Sequence, residues 1–583
     1  MPAIVSLERL RASLADVGLG LPLDAAQQHR DEAAAAVRQI DDYIRPRLAD
    51  LDAPLLAVVG GSTGSGKSTI VNALVGTPTS RAGVIRPTTR QPILVHSPAD
   101  AGWFASDRIL PGLARVRGQV TAAGTPASSA GDAPAASRIN ELMLLGIDRV
   151  PPFLAIVDAP DIDSVADDNR ALASQLLAAA DLGLFVTTAN RYADAVPWRL
   201  LDNAAARSIT VGVILNRVPP GAAADVLPDL RGMLDQRGLP GAPVFVIDEQ
   251  PLDDLGMLPP TAVEAPRAWL ESIAGDRAER ARVAARTLRG AVDDLDRRVQ
   301  VIADARRQQL DWVESAVAAV AREYELAVEA VDDATKDGAL LRGEVLARWQ
   351  DFVGTSDVFR RLEGWVSRAR DQATAWLRGR PQSVVEVETQ IERGLHAVIV
   401  DQGGSAAGAA WASLQRSSAG RSITQQHPGL RSESANFAEV SATLVRDWQG
   451  ALMRLVQQNA GSKRVRARVL SLGLNVVTVA LMVVVFASTG GLTGGEVAIA
   501  GGSAVVGQKL LETIFGEDAV RRLALEARRD LQQRVRALFD GEAARVTAAL
   551  AEARMGASPE VLRRESEALL DDVERAAASG DSP

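Results

Sequence analysis
The residues best placed to do chemistry stand at Gly61, Ser62, Thr63, Gly64, Ser65, Gly66, Lys67, Ser68 and Thr69. Their spacing fits G-x-x-x-x-G-K-[ST], in which glycines let backbone N–H groups turn inward around phosphate oxygens. A helix opening directly behind such a loop adds the positive end of its dipole. In that arrangement the Lys67 ammonium reaches the β- and γ-phosphates, and the Ser68 hydroxyl is placed to ligate Mg2+. Only four of the 64 basic residues are lysines: Lys67, Lys336, Lys463 and Lys509. A chain that otherwise uses arginine keeps a compact ammonium at the position where this chemistry asks for one. About ninety residues later the apolar run PFLAIVD ends in Asp158 and opens Asp158-Ala159-Pro160-Asp161. The Asp158 carboxylate can hold Mg2+ through water. Between the two motifs, RAGVIRPTTRQPILVH offers Thr88 or Thr89 to close on Mg2+ and the γ-phosphate as a switch loop.

The elements that must position these residues follow from the texture around them. The glycine loop sits between PLLAVVG, a strand, and IVNALVG, a helix. Five further apolar runs, QPILVH, PFLAIVD, LGLFVTTA, ITVGVILN and APVFVID, are separated by crossover lengths. This predicts an α/β P-loop domain over residues 51–270, with a doubly wound, mostly parallel sheet. Within it, residues 121–137 (TAAGTPASSAGDAPAAS) read as an aperiodic insertion.

Composition removes whole classes of function. Lys plus Arg is 64 and Asp plus Glu 73, so the formal charge is 64 − 73 = −9, which argues against a nucleic-acid partner. With no cysteine there are no disulfides, thiol nucleophiles, Fe–S clusters or ordinary structural zinc sites. The four histidines, His29, His96, His396 and His427, show no metal-pair spacing. An ABC-type ATPase would share G-S-G-K-S-T, but its LSGGQ-like signature and Asp-Glu strand end are absent from the sequence.

Outside the α/β block the pattern is helical. Residues 1–50 predict N-terminal helices packing on a stalk, with Ile40, Tyr43, Ile44 and Leu48 near one face. Residues 271–465 predict the stalk itself. There Leu310, Val313, Val317, Val320, Tyr324, Ala327 and Val331 step by three or four, as in a long helix or coiled coil. Two interruptions are expected, at DQGGSAAGAA and at the polar loop SSAGRSITQQHPG. From Val469 to Gly495 no charge occurs over 27 positions, about 40 Å as a helix and enough to span a bilayer core of about 30 Å. TGGLTGGE and VAIAGGSAVVG then read as the turn and returning arm of a hydrophobic membrane hairpin over residues 466–516, anchored by 469–507. Lys463, Arg464, Arg466 and Arg468 on one flank, and Arg521 and Arg522 on the other, place both ends on the cytoplasmic face of the membrane. The N-terminus carries acidic residues and no signal-peptide core, in keeping with a cytoplasmic start. Residues 517–583 predict a C-terminal helix returning to the stalk, with a frayed tail.

In the stretches GGSTGSGKSTIVNALVG, PTTRQP, DAPDIDS, AADLGLFVTTA and ILNRVP the sequence resembles the dynamin superfamily of large GTPases, and more loosely the Era-like P-loop GTPases. The pairing of such a head with a late apolar hairpin is similar to bacterial dynamin-like proteins. The resemblance implies that residues 61–69 with Asp158, Asn216 and Arg217 contact the nucleotide, Asp158 as the G3 aspartate and Asn216 as the G4 asparagine. It makes Thr89 the switch I threonine, with Ser68, Thr89 and Asp158 on the metal and Lys67 and Thr89 serving catalysis. It further implies GTP hydrolysis with Mg2+ coupled to membrane remodelling or tethering, and homo- or hetero-oligomers formed through head and stalk. A membrane-anchored switch that binds ATP or GTP without mechanical work is the alternative. Three departures from the family pattern stand out. Asp161 replaces the glycine that normally ends G3; Asn216-Arg217-Val218-Pro219 lacks the G4 aspartate, leaving GTP and ATP both open; and Thr63 and Gly64 stand where eukaryotic dynamins carry Gln and Ser.

Overall fold
The computed structural model of the chain describes residues 2–80, 91–120, 126–128, 140–161, 167–336, 382–487 and 501–579. Thr88 and Thr89 lie outside the described residues, as do most of the 121–137 insertion and residues 488–500 of the expected hairpin.

The chain divides into two compact units. The head unit comprises residues 1–19, 25–308 and 556–583, and the helical unit residues 20–24 and 309–555. The sequence boundaries at 50, 270, 465 and 516 cut the chain differently, because the N-terminal helices and the last helix, Pro559–Ser579, belong to the head unit, while Glu517–Ala551 belongs to the helical unit.

Among the described residues the head unit has nine strands: β1 (Leu55–Gly61), β2 (Ile93–His96), β3 (Ala114–Val120), β4 (Pro126–Ser128), β5 (Glu141–Gly146), β6 (Leu154–Asp158), β7 (Leu182–Thr188), β8 (Thr210–Val218) and β9 (Val244–Asp248). They lie in the order β4-β3-β5-β2-β6-β1-β7-β8-β9. The block β6-β1-β7-β8-β9 is parallel throughout. β2 pairs antiparallel with β6 yet parallel with β5, and β4 pairs antiparallel with β3. Six of these eight neighbouring pairs are parallel, so the sheet is mostly parallel as expected, but it is mixed, with β2, β5 and β3 forming a block reversed against β6. Within that block β3 and β5 escape sequence reading, because β3 (ARVRGQV) alternates charges and β5 has only a four-residue apolar run.

Strands buried on both faces explain the near-continuous apolar runs. In β1, Leu55, Ala57 and Val59 enter a core with Ile70, Leu74, Val263 and Leu270. Leu56 and Val58 point the other way, against Phe104, Leu172 and Leu176. Elsewhere in the head unit the helix Pro2–Ala15 packs with Pro559–Ser579 and with the first part of the 60-residue helix Arg277–Lys336, where Leu7, Leu10, Leu295 and Leu569 are buried.

In the helical unit Val313, Val320, Tyr324, Ala327 and Val331 enter one core with Trp448, Leu531 and Phe539. The two expected interruptions are corrected. DQGGSAAGAA lies inside the continuous helix Gln382–Leu414. Its Gly403 is there for space: a Cβ would come 2.3 Å from the Phe437 ring. The polar stretch after it forms the helix Ser418–Gln426, whose N-terminus Ser417 caps by accepting from Gly420 N at 3.0 Å.

The expected membrane hairpin is not shown by the described residues, although the bent pair Lys463–Leu470 and Leu474–Ala487 has the length and composition of a broken span. Among the described residues no single helix is long and apolar enough to cross a bilayer. The uncharged run breaks at Gly473, whose φ is 85°, and the helices on either side meet at 94°. The second, Leu474–Ala487, has 14 residues, about 21 Å, and its side chains from Val476 to Phe486 are buried in the protein core. The rings of Trp448 and Phe486 lie 5.5 Å apart, tilted by 51°.

Candidate nucleotide site
β1 lies between β6 and β7, so the loop leaving its C-terminal end opens at a reversal in strand order, where α/β sheets bind ligands. That loop, residues 62–66, leads into the helix Lys67–Val75. Two of its glycines are required by space as well as by backbone. At Gly61 (φ 156°) a Cβ would lie 2.2 Å from Val186 O, and at Gly66 (φ 95°) 2.4 Å from Asn216 Nδ2.

Lys67 is buried, donates to Ser62 O at 3.1 Å, and forms an ion pair with Asp161. Ser68 Oγ donates to Asp158 Oδ2 at 2.8 Å. The Val59↔Asp158 register brings Asp158, the last residue of β6, to this loop. The carboxyl of Asp158 is fully buried, and burial pushes its pKa up against the opposing pull of Ser80, Ser68 and Lys67. Among the described residues its Oδ1, together with the buried hydroxyls of Ser62 and Ser65, has no hydrogen-bond partner. Buried polar atoms left open at one place are what a ligand-binding cradle presents. Asn216, on β8, donates from Nδ2 to Ser65 O at 2.8 Å and is buried. The same loop is thus tied to a third strand.

Of the expected site residues, the structure brings Gly61, Ser62, Ser65, Gly66, Lys67, Ser68, Asp158 and Asn216 together. Gly64 is exposed, Thr63 is half-buried, and Thr69 is buried in the helix. Arg217 is exposed with a left-handed backbone, φ 53°. Two contributors were missed. Ser80 Oγ donates to Asp158 Oδ2 at 2.6 Å, in a turn that the Asn72 side chain pins through Thr79 N and Ser80 N, both at 2.8 Å. Arg191, after β7, donates from Nη1 to Thr63 O at 2.8 Å and pairs with Asp194. Neither carries a spacing signal, since both arrive through chain reversals.

The oxygen-only donors Ser68 Oγ and the open Asp158 Oδ1 fit a hard divalent cation such as Mg2+, which takes one or two carboxylates and otherwise phosphate or water. Among the described residues no cluster of three or more His, Asp or Glu competes for a metal.

Residues 56–215 match the model of the dynamin family. No curated protein matches the sequence. A solved structure described as an oligomerised bacterial dynamin pair, with a mechanism for long-range sensing and tethering of membranes, covers 98% of this chain and 95% of its own at 8% identity and a TM-score of 0.41. A second structure of such a pair covers 94% and 92% at 9% identity and a TM-score of 0.34. The similarity to the dynamin family thus lies in the α/β domain that residues 56–215 build.

Proposed function
We propose that the chain is a membrane-associated, dynamin-like GTPase that binds GTP with Mg2+ at the loop 61–69, hydrolyses it, and couples the cycle to membrane remodelling or tethering. The observation that carries this reading is the convergence of Lys67, Ser68 and Asp158 with the open hydroxyls of Ser62 and Ser65 inside the family-matching domain. Backbone N–H groups of residues 62–66 and the Lys67 ammonium hold the phosphates, and the dipole of Lys67–Val75 adds to their attraction. Ser68 and Asp158 would hold Mg2+, which would supply positive charge against the phosphates. Asn216 keeps the loop in register with the base side of the site. Thr89 is assigned the switch threonine by motif, and Arg217 a place beside the base.

Contact with the membrane is assigned to the helix Lys463–Leu472. It presents exposed Lys463, Arg464 and Arg466 and no acidic residue, and Leu470 stands 77% exposed. A cationic face with an exposed leucine suits the anionic cytoplasmic surface of a bilayer, at about 1 kcal/mol per basic residue. Self-assembly through head and stalk belongs to the same reading.

The second reading, a nucleotide-binding switch that does no mechanical work, is favoured by the missing G4 carboxylate. The test is turnover of GTP and ATP side by side, with and without anionic vesicles, at several protein concentrations. GTP turnover that rises with vesicles and concentration, and is lost in Lys67→Ala, supports the first reading. Binding without stimulated turnover supports the second.

A further inference from the structure
Where a GTP-binding G3 motif ends in glycine, this chain places a carboxylate, and that carboxylate is paired with the one ammonium of the phosphate loop. The pair is well shielded, with side-chain exposures of 6% for Lys67 and 13% for Asp161. We propose that Asp161 is the resident counter-ion of Lys67, and that a nucleotide enters by exchange with it, so that Asp161 sets how tightly the site holds a triphosphate. The inference rests on the nucleotide reading above and names what regulates that same site.

The physical argument has three parts. A shielded ammonium held by a carboxylate is already neutralised, so a phosphate gains only the difference between the two partners. The carboxylate also has little room to withdraw. Asp161 follows Ala159, whose N–H donates to Val59 O at 3.2 Å, and Pro160, whose ring fixes φ. Once displaced from Lys67 it remains beside the phosphates and adds its negative charge to theirs. The neighbouring Asp158 already registers that charge, since Asp161 adds to the upward push on its carboxyl. A triphosphate, with one more anionic group than a diphosphate, meets more of this repulsion.

The experiment measures binding of a non-hydrolysable GTP analogue and of GDP, each with Mg2+, by calorimetry on the full chain. The variants are Asp161→Asn, Asp161→Gly, Asp161→Glu and Lys67→Ala, each checked for a native thermal transition. Asp161→Asn and Asp161→Gly are expected to tighten the triphosphate analogue by about tenfold or more, the scale of one charge-assisted contact, and GDP by less. Asp161→Glu, which keeps the charge, should stay close to wild type. If the wild type binds and the Asn and Gly variants bind no tighter, or more weakly as a lost metal ligand would require, the counter-ion role is overturned while the nucleotide reading stands. If neither wild type nor any variant binds, both fall together.

Discussion
Asn216 spends its amide on Ser65 O, a contact with the phosphate loop that does not depend on which base is bound. Asn216→Ala is therefore expected to weaken GTP and ATP alike by about two- to tenfold, the worth of one buried hydrogen bond. Calorimetry with both nucleotides checks this; a loss confined to GTP would mean that the amide reads guanine. Asp42 makes a different residue-scale point. It is 3% exposed, and burial pushes its pKa from the usual 3.8 up to about 6, although Gln175 donates to it at 2.8 Å. Between those values the folded head binds more protons than the unfolded chain, so stability falls as pH rises through this window. The favourable state is fully present below pH 3.8 and lost above about 6. Asp42→Asn should flatten that slope and raise stability at neutral pH, by about 2–3 kcal/mol, read from thermal melts across a pH series.

At the scale of elements, β1 and β7 are joined to the N-terminal helices by a buried polar knot. Asp181, fully buried at the foot of β7, accepts from Leu56 N at 2.8 Å and Tyr43 Oη at 3.0 Å, and pairs with Arg47. A charge buried with its partner specifies where one helix must meet the sheet more than it stabilises the head. The helix Leu474–Ala487 illustrates the opposite economy, apolar on every side and enclosed by protein. Val479→Asp would bury an unpaired carboxylate and is expected to cost more than about 4 kcal/mol. The measurement is the helical thermal transition and protease resistance of residues 309–555 in the absence of lipid. A variant that melts like wild type in buffer but no longer pellets with vesicles would show that this face meets lipid instead.

At the scale of the whole molecule, a chain of net charge −9 carries a four-residue basic cluster within one ten-residue helix. Many arginines elsewhere have carboxylate partners close by, as in Arg11–Asp41, Arg237–Asp202 and Arg536–Glu325. Lys463 and Arg464 have no such partner among the described residues, while Arg466 donates to Ala460 O and Arg468 to Thr513 O. Replacing Lys463, Arg464 and Arg466 together by Glu should abolish sedimentation with phosphatidylserine vesicles and leave the melting temperature unchanged, because these side chains are exposed. Raised salt should release the wild type in the same assay, since exposed charges are screened within about 10 Å at 0.1 M. Undiminished binding by the triple variant would move the lipid contact elsewhere.

The glycine loop, its lysine and serine, the Asp158 strand end and six of the nine strands were legible in the sequence because each is local. Such motifs depend on neighbours in the chain, and fully buried strands announce themselves as unbroken apolar runs. The strands β3, β4 and β5 were not legible, since β3 carries charged residues at alternate positions, β4 is three residues long and the apolar run of β5 is only four residues. Only the tertiary structure decided that Asp161 faces Lys67, that Ser80 and Arg191 reach the same loop, and that the uncharged stretch bends at Gly473 with Val476–Phe486 enclosed by protein. Hydropathy measures how strongly a segment avoids water. It does not say whether lipid or other helices replace that water, and the answer lies in helices tens of residues away along the chain.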